Sequence, residues 1–220
     1  MKRQKKIMAV LMAALMFAGI STGCGKKFDA KAYMQEYLNA SYKQQFTEFC
    51  KLSEQTEDEA KKVYEENIDK VTEEMMNVEG QEFSDELVEK YQNLVQTMFS
   101  SAKYNVVSAE EDKDGNFVAK VEVEPLLVLD DFEEKVTEAS EEYLTDLTEK
   151  LLAGEEQPDE ATIYEDIMTI VYDILNEKLS APEYGEKETV EVQISKKDNV
   201  YAPEIEDLEN LDKVVFNMHK

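Results

Sequence analysis

The chemistry-bearing residues of this chain are overwhelmingly carboxylates: 50 Asp and Glu against 24 Lys and Arg, one His and two Cys. Paired carboxylates can run glycoside hydrolysis, one keeping its proton as general acid while the other acts as base or nucleophile. With 50 acids available, no spacing singles out a pair, so no catalytic residue is nominated. The one histidine, His219, stands next to the last residue. Ser-His-Asp and Cys-His arrangements therefore lack a base in any usual form, and His-rich metal sites are excluded. No G-x-x-x-x-G-K or G-x-G-x-x-G phosphate loop occurs. The chain has no Trp, so a sugar-stacking platform would fall to its 11 Tyr.

Asp112-Lys113-Asp114-Gly115-Asn116 has the oxygens of a calcium loop but not its spacing. An EF-hand loop wants Gly at position 6 and Glu at position 12. Counted from Asp112, Gly115 comes at position 4 and Val123 at position 12. Asp-Gly and Gly-Asn supply the positive φ of a hairpin turn, so the segment reads as a turn. No metal ligand and no cofactor site is nominated.

The two cysteines divide into different chemistries. Cys50, in Phe46-Thr47-Glu48-Phe49-Cys50-Lys51-Leu52, reads as a small core residue. Cys24 closes a different pattern. Lys2, Arg3, Lys5 and Lys6 precede an unbroken apolar or small run, Ile7 to Ile20. A basic start, a short apolar core and small residues at a cut site mark an export signal. The run is too short for a transmembrane anchor, which needs roughly 20 apolar residues. Ser21-Thr22-Gly23-Cys24 resembles the lipobox of bacterial lipoproteins, with a small residue before the Cys, though Ser21 stands where Leu is usual. The expectation is cleavage after residue 23, thioether lipidation at Cys24, a tether over 24–27 and an extracytoplasmic domain over 28–220. An ordinary signal peptide cut nearby is the alternative.

Loss of residues 1–23 removes four basic residues and no acids, taking the net charge from −26 to −30. Such a charge speaks against nucleic acid, whose affinity comes from Lys and Arg displacing counterions, and against lying on an anionic lipid surface. A cationic protein, peptide or ion is the partner it suits, while the plainer reading is solubility. The remaining 197 or so residues fit one domain.

The elements that must position any site follow from periodicity. Residues 29–51 read as one bent helix or two short ones, with Tyr33, Tyr37, Leu38, Phe46 and Phe49 inward. Thr56 and Glu59 form a capping box that opens a helix through Val63, Tyr64, Ile68, Val71 and Met75. Ser84 caps the next, through Leu87, Tyr91, Leu94, Val95 and Met98. Phe117, Ala119, Val121 and Val123 alternate with polar neighbours, a strand that Pro125 ends, with Tyr104 to Ala109 as its hairpin partner. Residues 131–153 are helical through Phe132, Val136, Tyr143, Leu147 and Leu151. Pro158-Asp159 opens a helix that is apolar on several sides (Ile163, Ile167, Ile170, Val171, Ile174 and Leu175) and is expected to be the buried central one. Val190, Val192 and Ile194 make a third strand, and Leu208, Leu211, Val214 and Val215 a closing helix. Tyr33, Tyr37, Tyr143, Tyr164 and Tyr172 read mostly as core residues with hydroxyls at the rim, a ligand pocket being the lesser alternative. Asp58-Glu59-Ala60 with Tyr64-Glu65 echoes Asp159-Glu160-Ala161 with Tyr164-Glu165, which is either a duplicated helix-helix-strand unit or the chance likeness of Glu-rich helices.

Phe28-Asp29-Ala30-Lys31-Ala32-Tyr33, followed by Glu36-Tyr37-Leu38-Asn39-Ala40-Ser41-Tyr42-Lys43, resembles the opening of uncharacterised cell-surface lipoproteins of clostridia and related Firmicutes. The acidic helix from Thr56 to Ile68 and the strand Val121-Glu122-Val123-Glu124-Pro125-Leu126 are similar in kind. The resemblance implies a Gram-positive surface location and carries no catalytic residues. The reading that results is a single, helix-rich α+β domain: six or seven helices around a three-stranded antiparallel sheet. Its expected function is non-catalytic binding at the cell surface, with a carboxylate-dependent glycan hydrolase as the alternative.

Overall fold

The computed structural model describes residues 20–21, 28–53, 55–197 and 200–218. Cys24, the tether, His219 and all of the export signal except Ile20 and Ser21 lie outside the described residues.

Local sequence accounts for most helix boundaries. Helix α1 (Ala30–Lys43) is capped by Asp29, which accepts the Ala32 amide at 3.0 Å. It stops where Gln44 turns left-handed at φ 56°, so the 29–51 segment is two helices, the second being α2 (Phe46–Ser53). Helix α3 (Glu57–Met75) starts on the Thr56–Glu59 capping box. Helix α4 (Asp85–Ser100) starts on Ser84. After the sheet hairpin come α5 (Phe132–Leu152) and α6 (Glu160–Ser180), the latter capped by Asp159. Helix α7 (Ile205–Val215) closes the fold.

The sheet departs from expectation. It has four antiparallel strands and not three: β2 (Lys103–Glu111), β3 (Phe117–Glu124), β4 (Glu188–Lys197) and β5 (Val200–Pro203). The fourth, β5, was invisible to pattern because four residues ending in a proline show no alternation. A two-residue strand β1 (Ile20–Ser21) pairs onto the outer edge of β5, giving the order β1-β5-β4-β3-β2. The class is still α+β and helix-rich, with seven α-helices and 60% helix among the described residues.

One face of the sheet is covered and the other is wet. Along β3, Phe117, Ala119, Val121 and Val123 are buried while Val118, Lys120, Glu122 and Glu124 are half-buried. Helix α1 packs on β2 and β3, and α7 on β4 and β3. The polar face carries the cross-strand pairs Lys103–Glu124, at 3.7 Å, and Lys120–Glu191, at 3.8 Å.

The buried central helix is α1, not α6. Eight of the 14 residues of α1 are buried, including Tyr33, Tyr37 and Tyr42. Helix α6 buries only Met168, Leu175 and Leu179, and α5 buries nothing. The reason lies in the two apolar stripes of α6. Met168, Leu175 and Leu179 face α4 and the core, whereas Ile163, Ile167, Ile170 and Ile174 lie on a stripe about 130° round the helix, at 100° per residue. Asp166, on that second side, accepts a hydrogen bond from Tyr143 of α5 at 2.8 Å, so the isoleucine stripe serves α5. The α5–α6 pair is thus an arm laid against the domain. The duplication fails as well: α3 runs into another helix, α4, while α6 runs into a strand.

Candidate functional site

A polar cleft of about 410 Å³ opens at the start of β2 and the end of β3, beside the last turns of α1. Helix periodicity puts Gln35, Asn39 and Lys43 of α1 in one row along it. Each member of the row holds part of the β2 edge. Gln35 Oε1 accepts the Val106 amide at 2.9 Å, just where a bulge shifts the β2–β3 register. Asn39 Oδ1 accepts the Tyr104 hydroxyl at 3.0 Å and the Gln35 amide at 3.1 Å. Lys43 Nζ donates to the Ala102 carbonyl at 2.6 Å and to the Ser100 carbonyl. Sheet edges left bare recruit stray strands, and this one is blunted by side chains.

Two more ammonium groups complete the cleft. Lys103 sits over the Tyr184 ring, 3.5 Å from its centre, and pairs with Glu124. Lys187 pairs with Glu122 at 3.5 Å. The Tyr184 hydroxyl holds the Ser101 carbonyl at 2.8 Å. Burial, and then the charge of Lys103, lower the Lys43 pKa. In a chain of net charge −26, the cleft gathers three ammonium groups against two carboxylates, Glu122 and Glu124. The carboxylates pair with Lys103 and Lys187, so the cleft's surplus is one positive charge, that of Lys43. The arrangement can bind a small polar anion, with Gln45 and Asn105 as neutral donors and acceptors at the rim.

The residues weighed from sequence lie elsewhere. Asp112 Oδ1 accepts the backbone amides of Asp114 and Asn116 at 2.8 and 2.9 Å, and Gly115 has φ +82°. That segment is the β2–β3 turn. Among the described residues no three His, Cys, Asp or Glu side chains gather as a metal site. Cys50 is half-buried against the core, its pKa raised by desolvation first and by Glu57 and Glu59 next. Tyr33 and Tyr37 are core residues, and both are enclosed with their hydroxyls inside and not at a rim. Tyr143, Tyr164 and Tyr172 are half-buried in the arm and its seam with the domain. The cleft lysines carried no signal in sequence: 43, 103 and 187 are far apart, and only the fold joins them.

No family model matches the chain, and no curated protein matches it in sequence. Among solved structures, the chain is similar to YcdA, an inferred lipoprotein of Bacillus subtilis subsp. subtilis str. 168. The TM-score is 0.54 and the identity 13%, covering 86% of this chain and 56% of that one. Likeness at that identity concerns the fold alone, and this chain spans little more than half the length of that protein.

Proposed function

We propose that this chain is a lipid-anchored extracytoplasmic module that binds a small polar anion in the cleft between α1 and the β2–β3 strands. The convergence of Lys43, Lys103 and Lys187 in one preformed depression carries the reading. The lipobox-like Gly23-Cys24, the fold shared with an inferred lipoprotein and the resemblance to clostridial surface lipoproteins support the location. No helix among the described residues is long and apolar enough to cross a membrane.

The described chain's entry at Phe28 and the cleft lie at opposite ends of β3. Phe28 stacks on Tyr201 of β5 at 4.0 Å and meets Phe117, the first residue of β3, edge-on at 5.5 Å. The chain therefore enters at the hairpin end of the sheet. Glu124, on the cleft, lies seven residues further along β3, roughly 23 Å away at 3.3 Å per residue. Helix α1 covers the same distance, since its first residue follows the entry and Lys43 lines the cleft. A chain lipidated at Cys24 holds the cleft on the side away from the membrane.

The test is amide-resolved NMR of the full-length chain in non-ionic detergent, titrated with inorganic phosphate, with acetate and with chloride at matched ionic strength. Phosphate or acetate should move the Ala102, Lys103 and Asn105 amides saturably where chloride does not. Lys103→Met with Lys187→Met should remove the response, since those side chains are exposed enough to change without unfolding the domain. Equal responses to all three anions, or a double variant that responds unchanged, would reject the assignment.

A further inference from the structure

The arm formed by α5 and α6 stands apart from the cleft in both charge and polarity. Between Asp131 and Ser180 there are 16 acidic residues and three lysines, a net charge of −13 out of −26 in under a quarter of the chain. Solubility alone explains acids, but not the leucines among them. Leu152 is 84% exposed, Leu144 47% and Leu151 37%. These are three of the five large apolar side chains exposed among the described residues, and they fall within nine positions of one helix. Leu144 and Leu151, seven residues apart, share a stripe that runs beside the packed row of Tyr143 and Leu147. Across the seam, Ile163, Ile167, Ile170 and Ile174 of α6 are half-buried, and none belongs to the main core. The packing of α5 on α6 thus leaves an apolar strip of α5, Leu144 and Leu151, uncovered beside the seam.

We infer that this face of the arm is a docking surface for a basic amphipathic helix supplied by a partner protein. A third helix set beside the seam covers Leu144 and Leu151 and completes a three-helix unit, while Leu152 lies on the far side of the last turn. Its lysines or arginines meet Glu141 beside that stripe and Glu155 and Glu156 just past the helix end. Charge decides among occupants. A second copy of this chain would bring −13 against −13, and an anionic lipid surface is repelled by the same field. A cationic helix is the one occupant that satisfies both the leucines and the acids. The surface is independent of the cleft.

The probe is a labelled synthetic helix of leucine and lysine with all leucines on one face, compared with an isomer of identical composition whose leucines are scattered. Binding to the full-length chain in non-ionic detergent is read by fluorescence anisotropy. The one-faced peptide should bind at least tenfold tighter than the scattered isomer, and more weakly as salt rises. The decisive variant is Leu144→Asp with Leu151→Asp. It makes the arm more acidic, so a purely electrostatic attraction strengthens, whereas docking on the leucines weakens tenfold or more. Amide exchange read in parallel should show new protection confined to residues 141–174. Equal binding of the two peptides, a variant that binds as well or better, or a chain that dimerises through this face without peptide overturns the inference.

Discussion

The Tyr42 hydroxyl donates to Asp212 Oδ1 at 2.7 Å, joining α1 to α7 across 170 residues of chain with both groups buried. Around the pair stand Phe99 and Phe216, whose ring centres lie 6.1 and 6.0 Å from that of Tyr42, and Tyr104 at 5.3 Å. A buried carboxylate such as Asp212 is costly to desolvate unless it is hydrogen-bonded. The bond to Tyr42 therefore fixes which way α7 sits on the sheet.

Tyr42→Phe should accordingly lower stability by about 1.5–3 kcal/mol, the range for a hydrogen bond to a charged, buried group. Tyr143→Phe is the control. Its hydroxyl also reaches a carboxylate, Asp166, but in the half-buried arm, so about 1 kcal/mol or less is expected. Urea denaturation with unchanged slope separates the two. Equal midpoints for both variants and the parent would show that the buried pair contributes nothing.

Alkaline pH should unfold this protein sharply. Tyr33, Tyr37, Tyr42, Tyr91 and Tyr104 all have pKa values raised above 10, in each case first by burial. Because the folded values lie above the unfolded value, their contribution is fully present below pH 10. It is lost as pH rises beyond that, by about 1.4 kcal/mol per pH unit for each ring that ionises only on unfolding. The thermal midpoint should stay flat between about pH 7 and 9 and then fall steeply. Phenolate absorbance from these rings should appear together with loss of helix. Ionisation of all 11 tyrosines near pH 10 with the circular dichroism intact would contradict the burial.

What could be read from sequence here was whatever is local. Capping at Thr56, Ser84 and Asp159, the alternation of β3 and the Asp112–Asn116 turn depend on residues within a few positions of one another, and each forms as its pattern requires. Periodicity gave no account of which helix would be central. Helix α6 has more aliphatic residues than α1, yet α1 is buried because its tyrosines fill the space between sheet and helices, while the aliphatic surplus of α6 goes to α5. Strand β5 is short and joins β4 through pairs such as Ser195 with Ala202 and Lys196 with Tyr201, which carry no apolar pattern. The cleft was hidden for a third reason. Its lysines serve carbonyls, a ring and glutamates that are distant in sequence, so no motif marks them.

A buried position of α7 and the outer stripe of α6 make opposite predictions for two aspartate substitutions. Leu211→Asp places a charge at a fully buried position of α7 and should abolish folding. Ile170→Asp falls on the half-buried stripe under α5 and should leave the sheet and α1 folded while loosening the arm. Hydrogen exchange distinguishes them. Faster exchange should be confined to α5 and the outer face of α6 in Ile170→Asp, with β3 amides still protected. Loss of protection in β3 would mean that the arm is integral to the core.

The anchor can be tested on its own. If Cys24 carries lipid, Cys24→Ala should release the chain into the medium or leave it as uncut precursor, and labelled palmitate should mark the parent alone. Beyond Cys24 only Gly25, Lys26 and Lys27 precede Phe28, which is packed on Tyr201. Four steps of about 3.5 Å let the domain rise some 14 Å from the lipid. That is less than two Debye lengths of about 8 Å each at physiological salt, so the near end of a domain of charge −30 feels anionic headgroups while its far end is screened. Its hairpin end, beside Lys26 and Lys27, should face the bilayer, and the acidic arm and the cleft should face out. Spin labels placed at residue 113 in the hairpin turn and at residue 187 by the cleft, on the lipidated chain in anionic vesicles, should give strong and weak contact respectively with a lipid-soluble relaxation agent. Similar contact at both sites, or Lys26→Glu with Lys27→Glu leaving the contrast unchanged, would count against this orientation or against the role of the two lysines in setting it.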